Sequence, residues 1–332
     1  MSVTVLKAGL LSTLQDGGRR GHAAIGVGRA GAMDLPAWRL ANALVGNRGD
    51  EAVIECTLLG PTVRFERAAW IALTGAPMQA RVGELPMSCW SAWPVRAGSV
   101  LRLGGVAIGC RSYLAVRGGF DVTPVLGSRS SDLHARLGHA AGRALQDGDV
   151  LPIGAAIDPP AHDPAEIIAA PRWTLNPRPW FADASAPITL LPGSHWSRLD
   201  NASQEHLYGA HFSLDKDSNR TALRLGGQTL KLRAPLELVS EAALPGTMQL
   251  PPSGQPIVLM AEAPVTGGYP RIGQVAAVDL PRLAQLRSGD AVCFRRGTLE
   301  RALGRLAKRD RALEALLKRI ARRLQDDGWP GA

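Results

Sequence analysis

Three glycines near the N-terminus have the spacing of a phosphate-binding turn. They are Gly26, Gly28 and Gly31, in the segment AIGVGRAGAMDLP. In dinucleotide-binding proteins such a turn follows a strand and opens a helix, so that the pyrophosphate meets the helix N-terminus. The preceding residues, QDGGRRGHAAI, are too rich in glycine and too basic for that strand, and the first helix-capping residue, Asp34, comes only after Gly31. We therefore predict a flexible loop that lets the backbone approach another group closely, and no dinucleotide site.

The sequence lacks the motifs that are needed for ATP binding through the common phosphate loop, for attachment of biotin and for a serine hydrolase. The chain contains neither the phosphate-binding pattern GxxxxGK[ST] nor the biotin-acceptor sequence Met-Lys-Met. The candidates for a hydrolase nucleophile, base and acid are Ser194, His195, His206 and Glu205. Trp196, however, stands where the nucleophile turn GxSxG requires its second glycine. ATP binding through the common phosphate loop, attachment of biotin and serine hydrolase activity are therefore not predicted for this chain.

Cysteine and charge content narrow the class of protein further. The four cysteines are far apart and form no CxxC pair, which predicts thiols in a reducing cytoplasm and no metal site. The formal net charge is +9, but residues 295–325 hold eleven Lys or Arg and three acids, so the rest of the chain is close to neutral. No apolar run reaches membrane-spanning length. Neither a nucleic acid nor a membrane is expected as a partner.

Short segments that combine a glycine turn with branched apolar residues predict a chain built mainly of β-strands. VRAGSVLRLGG, LQDGDVLPIG and LRSGDAVCFRR have this form, and WIALTGAP and PIVLMAEAP are apolar runs bounded by breakers. A Pro-rich stretch from Asp158 to Pro179 separates two such halves. The predicted organisation is an N-terminal β domain over residues 1–157, a Pro-rich linker region over 158–185, a second β domain over 186–296 and a helical tail over 297–332.

Helix signals are few. In DLPAWRLANALVGN, Asp34 can cap the N-terminus, Pro36 lies near the first helical position, and Gly46 with Asn47 can end the helix. In the tail, alternating steps of three and four residues predict a helix from about Thr298 to Gln325 with one apolar seam. The seam consists of Leu299, Leu303, Leu306, Asp310, Leu313, Leu317, Ile320 and Leu324. We expect it to pack on protein, of this chain or of a partner, while the arginines of the other faces stay in solvent or meet an acidic partner.

Several motifs resemble those of one known family. They are LLSTLQDGGRRGHAAIGVGRAGAMDLPAWRLANALVGN, SYLAVRGGFDVTPVLGSRSSD, AGRALQDGDVL, GTMQLPPSGQPIVLMAEAPVTGGYPRIGQVAAVDL and LRSGDAVCF. In order and spacing they cover residues 3 to 296 and resemble the carboxyltransferase-type family of allophanate hydrolase subunit 2, the KipA protein and the C subunit of bacterial 5-oxoprolinase. The resemblance implies two cyclophilin-like β-barrel domains, so the expected fold is mainly β, with few helices and a basic amphipathic helix at the C-terminus.

The resemblance also implies partners and cofactors. It implies a cytoplasmic location. It also implies that the chain acts together with a subunit of the B or KipI type, and that an A-type (LamB/YcsF-like) subunit is needed for full turnover. In 5-oxoprolinases it implies that B and C together activate 5-oxoproline with ATP, while A completes the conversion to glutamate. In urea carboxylase the equivalent region transfers a carboxyl group from biotin to urea. ATP is thus expected only in complex with the partner, biotin could enter only on a partner, and no metal is expected.

Activation of a small amide needs donors that polarise its oxygen and a cation for any carboxylate that it carries. The polar segments of the family motifs supply the candidates. The expected catalytic residues are Gln15, Asp16, Arg220, Gln249 and Tyr269, and the expected substrate-binding residues are Arg19, Asp34, Ser128, Arg129, Gly267 and Gly268. A second role is open to Asp34, as the helix cap. We expect Arg220 and Tyr269 to lie at an open cleft.

Two segments depart from the family pattern. Relatives tend to have Ser-Asp-Arg-Met-Gly where this chain has Ser218 to Ala222, SNRTA. A polar run before Gly-Gly-Tyr-Pro is replaced here by Ala263, Pro264 and Val265. If these positions are buried, each lost hydrogen bond is worth about 1 to 3 kcal/mol. The departures point to a substrate other than 5-oxoproline or to reduced activity.

Two functions therefore stay open. The first is the C subunit of an ATP-dependent 5-oxoprolinase, or of a related amide-activating complex like urea carboxylase or allophanate hydrolase, inactive without its partner. The second is a non-catalytic regulatory module of the KipA type that sequesters a partner protein.

Overall fold

The chain folds into two compact units in a computed structural model that describes residues 2–155, 173–181 and 186–328. Among the described residues, the first unit takes those within Met1–Arg19, Asp34–Ala182 and Ala312–Ala332, and the second those within Arg20–Met33 and Asp183–Arg311. The units are thus not contiguous in sequence, unlike the predicted domains, because the glycine loop belongs with the second half of the chain. Of the predicted linker, residues 158–172 and 182–185 lie outside the described residues.

Among its described residues, the first unit contains eleven strands in two sheets. They are β1 Ser2–Lys7, β2 Leu11–Gln15, β3 Val53–Thr57, β4 Thr62–Phe65, β5 Ala69–Gly75, β6 Met78–Val82, β7 Leu85–Met87, β8 Ala92–Val95, β9 Val100–Val106, β10 Arg111–Val116 and β11 Val150–Pro152. The order in the six-stranded sheet is β11-β1-β4-β9-β6-β7, and in the five-stranded sheet β2-β3-β10-β5-β8. All the neighbouring pairs are antiparallel.

Both sheets contribute to one apolar core in this unit. Val5 and Phe65 come from the six-stranded sheet, and Ile54 and Leu114 from the five-stranded sheet. Helix α1, Leu35–Leu44, has seven buried residues and begins as predicted, with the Asp34 carboxylate accepting the N–H of Ala37. The helix ends before Gly46 and Asn47, so the predicted start and stop are both confirmed.

The second unit contains a closed barrel of seven strands, β12-β19-β16-β17-β14-β13-β20, and a two-stranded sheet, β15-β18. The strands are β12 Ile188–Pro192, β13 His211–Leu214, β14 Ala222–Gly226, β15 Glu241–Ala242, β16 Thr247–Gln249, β17 Ile257–Leu259, β18 Thr266–Gly267, β19 Arg271–Val275 and β20 Ala291–Arg296. β12 runs parallel to β20, and the other barrel pairs are antiparallel. Helices α2, Asn201–Gly209, and α3, Leu280–Leu283, also belong to this unit.

The barrel encloses the second apolar core, with Leu190, Phe212, Met248 and Phe294 among its members. Met33 belongs to the same cluster, which shows why the loop before α1 groups with the barrel. Helix α2 was not predicted, although its signal is local: the carboxylate of Asp200 accepts the N–H of Ser203.

The C-terminal helix α4, Leu299–Asp326, matches the predicted span closely. Its seam is not uniform: Leu313, Ile320 and Leu324 are buried with Leu40, Trp70 and Trp90 of the first unit, whereas Leu299 is 63% exposed. The expectation that the arginines stay in solvent or meet a partner was wrong for at least two of them. Arg305 donates to both carboxylate oxygens of Asp279 at 2.8 and 2.9 Å, within the second unit. Arg309 donates to the carbonyl oxygen of Val278 at 3.1 Å, and its side chain is 24% exposed.

The prediction of a mainly β fold with few helices and a C-terminal helix is confirmed. The closed barrel is a feature of the second unit, while the strands of the first unit form two sheets. None of the helices in the described parts of the chain combines the length and hydrophobicity that crossing a lipid bilayer requires.

Candidate functional site

Asp16, directly after β2, is the centre of a buried polar cluster in the first unit. Its Oδ1 atom accepts hydrogen bonds from the hydroxyls of Ser128 and Ser130, both at 2.6 Å. The same atom accepts the N–H of Gly18 at 2.8 Å, and Oδ2 accepts the N–H of Arg129 at 2.5 Å. The Ser130 hydroxyl also accepts the N–H of Asp16 at 2.9 Å. The carboxylate thus joins two loops through hydrogen bonds from its own chain.

Gln15 and Arg19 complete this arrangement. The Nε2 atom of Gln15 donates to the hydroxyl of Thr13 and to the carbonyl oxygen of Ser131, both at 3.0 Å. Its buried Oε1 atom has no hydrogen-bond partner among the described residues. Arg19 is buried and donates through Nη2 to the carbonyl oxygen of Ser130.

The side chain of Arg129 bonds away from Asp16, although its backbone N–H bonds to it. Nε donates to the carbonyl oxygen of Val122 at 3.0 Å, and Nη2 pairs with the exposed carboxylate of Asp121 at 3.1 Å. The predicted residues Gln15, Asp16, Arg19, Ser128 and Arg129 are therefore brought together, and we call them, with Ser130, the Asp16 cluster.

Asp34 stands at the start of α1. Its carboxylate caps α1, and its backbone N–H donates to the hydroxyl of Tyr113 at 2.8 Å. Burial raises the pKa of that tyrosine well above its ordinary value, and the carboxylates of Glu55 and Asp34 add to the effect. The Tyr113 hydroxyl is consequently a neutral structural group, and Asp34 is buried at the start of the helix.

Arg220 forms a buried ion pair in the second unit. Its Nε atom donates to Oε1 of Glu262 at 2.5 Å, and both side chains are 2% exposed. Its Nη2 atom donates to the carbonyl oxygen of Gly31 at 2.7 Å, so Arg220 holds the glycine loop. The expectation that Arg220 lies at an open cleft was therefore wrong: a charged group buried this deeply needs a partner of opposite charge, and Glu262 supplies it.

Gln249, at the end of β16, is also buried but is not fully bonded. It is 3% exposed, and its Nε2 atom has no hydrogen-bond partner among the described residues. The amide lies against Gly267 of β18, where a Cβ atom would come within 2.6 Å of Nε2. A side chain at position 267 would therefore displace the amide, so this approach depends on glycine.

Arg271 lies beside Gln249, because the two residues are cross-strand partners of β16 and β19. Its Nη1 atom donates to the carbonyl oxygen of Ala242 at 2.8 Å, and Nη2 pairs with the carboxylate of Glu241. The Nε atom of Arg271 is buried without a hydrogen-bond partner in the described part of the chain. Sequence reasoning missed this arginine, since its only signal is its place directly after the Gly-Gly-Tyr-Pro motif.

The remaining candidates of the second unit are more open. Tyr269 is 45% exposed. Gly268 has room for a Cβ atom, whose nearest neighbour would be the carbonyl oxygen of Leu238 at 3.5 Å. Gly267, Gly268 and Tyr269 thus follow one another along the edge where the Gln249 amide lies.

Ser194 and His195 do not form a nucleophile and base pair. Their side chains are 3.3 Å apart, but the same Nδ1 atom of His195 accepts the backbone N–H of Arg271 at 3.1 Å. Burial lowers the pKa of His195, and the charges of Arg271 and Arg198 lower it further. Among residues 2–155, 173–181 and 186–328, no group of three His, Cys, Asp or Glu side chains could hold a metal ion.

Ser130 and Glu262 were also missed from sequence. Ser130 stands in the same GSRSSD segment as Ser128 and Arg129, and Glu262 is the single acid of AEAPVTGGYP. In the sequence, the signal of each residue is its place in a family motif.

Comparison with known proteins places the chain in one family. The model of the carboxyltransferase domain, subdomain A and B, matches residues 25–296. The chain is 41% identical over 318 residues to the C subunit of 5-oxoprolinase from Escherichia coli, covering 95% of this chain and 98% of that protein. It is 37% identical over 325 residues to the C subunit of 5-oxoprolinase from Haemophilus influenzae, covering 98% and 99%.

A solved structure agrees with the sequence relatives. The crystal structure of the Kluyveromyces lactis urea carboxylase matches with a TM-score of 0.83 and 27% identity, covering 95% of this chain and 29% of that chain. The chain therefore spans less than a third of that larger protein. On the family match and the two near-complete alignments, the chain belongs to the carboxyltransferase domain family, subdomain A and B.

Proposed function

We propose that this chain is the C subunit of an ATP-dependent 5-oxoprolinase or of a closely related amide-activating complex. The observation that carries the proposal is the alignment with two bacterial 5-oxoprolinase C subunits over 98% and 99% of their lengths. The chain works beside a B or KipI-type subunit in the cytoplasm, and turnover is completed by an A-type subunit.

The second unit supports an amide as the substrate. A buried amide N–H of Gln249 without a partner in the described chain can donate to a carbonyl oxygen, which is the atom that an amide-activating enzyme must polarise. The proposal assigns nucleotide binding to the partner, because this sequence contains no GxxxxGK[ST] loop. Biotin, if a related complex uses it, is carried by a partner as well.

The departures from the family pattern are compatible with this function. Ala263 is buried in an apolar cluster with Ala243 and Leu259, so the loss of a polar side chain there leaves no unpaired group. In SNRTA, the Asn219 side chain accepts the N–H groups of Thr221 and Ala222, at 2.8 and 3.2 Å, and so forms a turn. Both segments are therefore satisfied by their own surroundings.

The test is reconstitution from purified subunits. The chain alone is expected to hydrolyse no ATP, whereas the chain with its B-type partner should hydrolyse ATP in the presence of 5-oxoproline, and addition of the A-type subunit should release glutamate. If the partner binds tightly but neither 5-oxoproline nor urea stimulates ATP hydrolysis, the chain is a regulatory module of the KipA type and the proposal is wrong.

A further inference from the structure

Gln249 and Arg271 place two buried N–H donors on one face of the barrel. They are directly opposite each other on the antiparallel strands β16 and β19, and opposite residues of such a pair project to the same side of the sheet. Both side chains contact the two-stranded β15–β18 sheet, Gln249 at Gly267 and Arg271 at Glu241 and Ala242. Both side chains therefore lie beside that sheet.

Neither donor is used by the described part of the chain. The Nε2 atom of Gln249 and the Nε atom of Arg271 are both inaccessible to solvent and have no hydrogen-bond partner among the described residues. A buried donor without an acceptor destabilises the folded chain, so each of these two N–H groups calls for an acceptor. A bound molecule that offers an oxygen atom would supply one.

The charge around the pair selects the kind of acceptor. The Glu241 carboxylate pairs with the Nη2 side of Arg271 and balances the guanidinium charge. A carboxylate ligand would lie close to Glu241 and be repelled by it, whereas a neutral carbonyl oxygen accepts two N–H groups without that penalty. If negative charge develops on that oxygen, N–H donors stabilise it.

We propose that Gln249 and Arg271 form a two-donor site for the carbonyl oxygen of a small uncharged amide group. This inference deepens the proposed function, on which it rests for the identity of the natural substrate, and it adds Arg271 to the groups that contact that substrate. Both donors keep their protons, and the β15–β18 sheet covers the site.

The test uses nuclear magnetic resonance on the ¹⁵N-labelled full chain, without partner or ATP. The Gln249 side-chain NH₂ and the Arg271 Nε–H signals are assigned from their loss in Gln249→Met and Arg271→Lys. The chain is then titrated with 2-pyrrolidinone, a cyclic amide without a carboxylate, and separately with acetate. We expect pyrrolidinone to shift both signals in a saturable way, and acetate to shift neither.

Each variant should weaken the pyrrolidinone response of the remaining signal at least tenfold in apparent affinity. Gln255→Met is the matched control, because the Gln255 amide bonds to the carbonyl oxygen of Gly227 in another part of the unit; it should leave the titration unchanged. Saturable shifts with acetate, or no shift with pyrrolidinone, overturn the inference even if 5-oxoproline turnover is found. Shifts with pyrrolidinone support it even if reconstitution shows no turnover.

Discussion

The Asp16 cluster of the first unit and the Gln249 and Arg271 pair of the second unit are both buried, but they use their hydrogen bonds differently. Around Asp16, four donors converge on one carboxylate from its own chain. At Gln249 and Arg271, two donors remain without an acceptor in the described chain. The bonded Asp16 carboxylate orders loops, whereas the Gln249 and Arg271 donors have capacity left for a ligand.

The difference separates two roles that sequence alone cannot distinguish. Both regions lie in family motifs and combine acidic, basic and amide residues. Substitution of the hydrogen-bonded Asp16 carboxylate should mainly lower stability, because its donors would lose their acceptor. An open donor pair should respond mainly in ligand binding.

Arg220→Met should be the most destabilising change. It leaves the Glu262 carboxylate buried without its cation, which costs about 3 to 5 kcal/mol in free energy of unfolding. Urea denaturation measures the effect. The double variant Arg220→Met with Glu262→Leu should recover much of the loss, since no buried charge then remains. If Arg220→Met is as stable as the wild type, the buried ion pair of Arg220 with Glu262 does not stabilise the fold.

Asp16→Asn should cost less, about 1.5 to 3 kcal/mol, because the side chain keeps its shape but loses charged hydrogen bonds. Urea denaturation again gives the value. Asp121→Asn is the control: its carboxylate pairs with Arg129 at the surface, where an ion pair contributes at most about 1 kcal/mol. Equal losses in the two variants would contradict the central role of Asp16.

Asp279 should give the protein an acid-sensitive contribution to stability. Burial would raise the pKa of its carboxyl, but hydrogen bonds from Arg305 and Thr189 outweigh burial and lower the pKa below its ordinary value of 3.8. A carboxyl with a lowered folded-state pKa stabilises above its unfolded-state pKa and loses that stabilisation as the pH falls through the folded-state pKa.

The expected result is a fall in the unfolding free energy below about pH 4 that is reduced in Asp279→Asn. Denaturation curves between about pH 2.5 and 6 would show it, and Asp310→Asn, a change at an exposed carboxylate of α4, should keep the wild-type slope. An unchanged slope in Asp279→Asn would assign the acid sensitivity to other groups.

Gly267→Ala should have the smallest effect on stability, about 0.5 kcal/mol or less, because the atom that it displaces is the end of a flexible side chain. It should nevertheless move the side-chain NH₂ signals of Gln249, since a Cβ atom would lie 2.6 Å from Nε2. Gly268→Ala is the steric control and should leave those signals in place. If both variants move the signals equally, the close contact with Gly267 does not position the amide.

Local signals predicted much of the fold. The strands at residues 69–75, 100–106, 150–152, 257–259 and 291–296 lie in the segments where glycine turns and branched residues predicted them. The cap and stop of α1 and the span of α4 were also confirmed. These features depend on neighbours within a few residues of each other, which is why composition and spacing are sufficient to find them.

The candidate site was predicted less completely. All the candidate residues except Arg220 lie in three of the family motifs. The residues beside them in the folded chain, Ser130, Glu262 and Arg271, lie in the same motifs but were missed. Arg220 and Glu262 are separated by 42 residues, and Asp16 and Ser130 by 114. No periodicity connects residues so far apart, because chain folding alone brings them within hydrogen-bond distance.

By itself, the sequence determined the family, the mainly β composition and the limits of α1 and α4, all of which follow from local patterns and from motifs in a constant order. Only the tertiary structure decided that the glycine loop joins the second unit and that Arg220 pairs with Glu262. It also decided that Gln249 and Arg271 each keep an N–H donor without an acceptor in the described chain. The physical reason is that burial and hydrogen-bond satisfaction are properties of neighbours in space. The type of a residue shows which hydrogen bonds its side chain can donate. Whether an acceptor lies within hydrogen-bond distance depends on the folded chain.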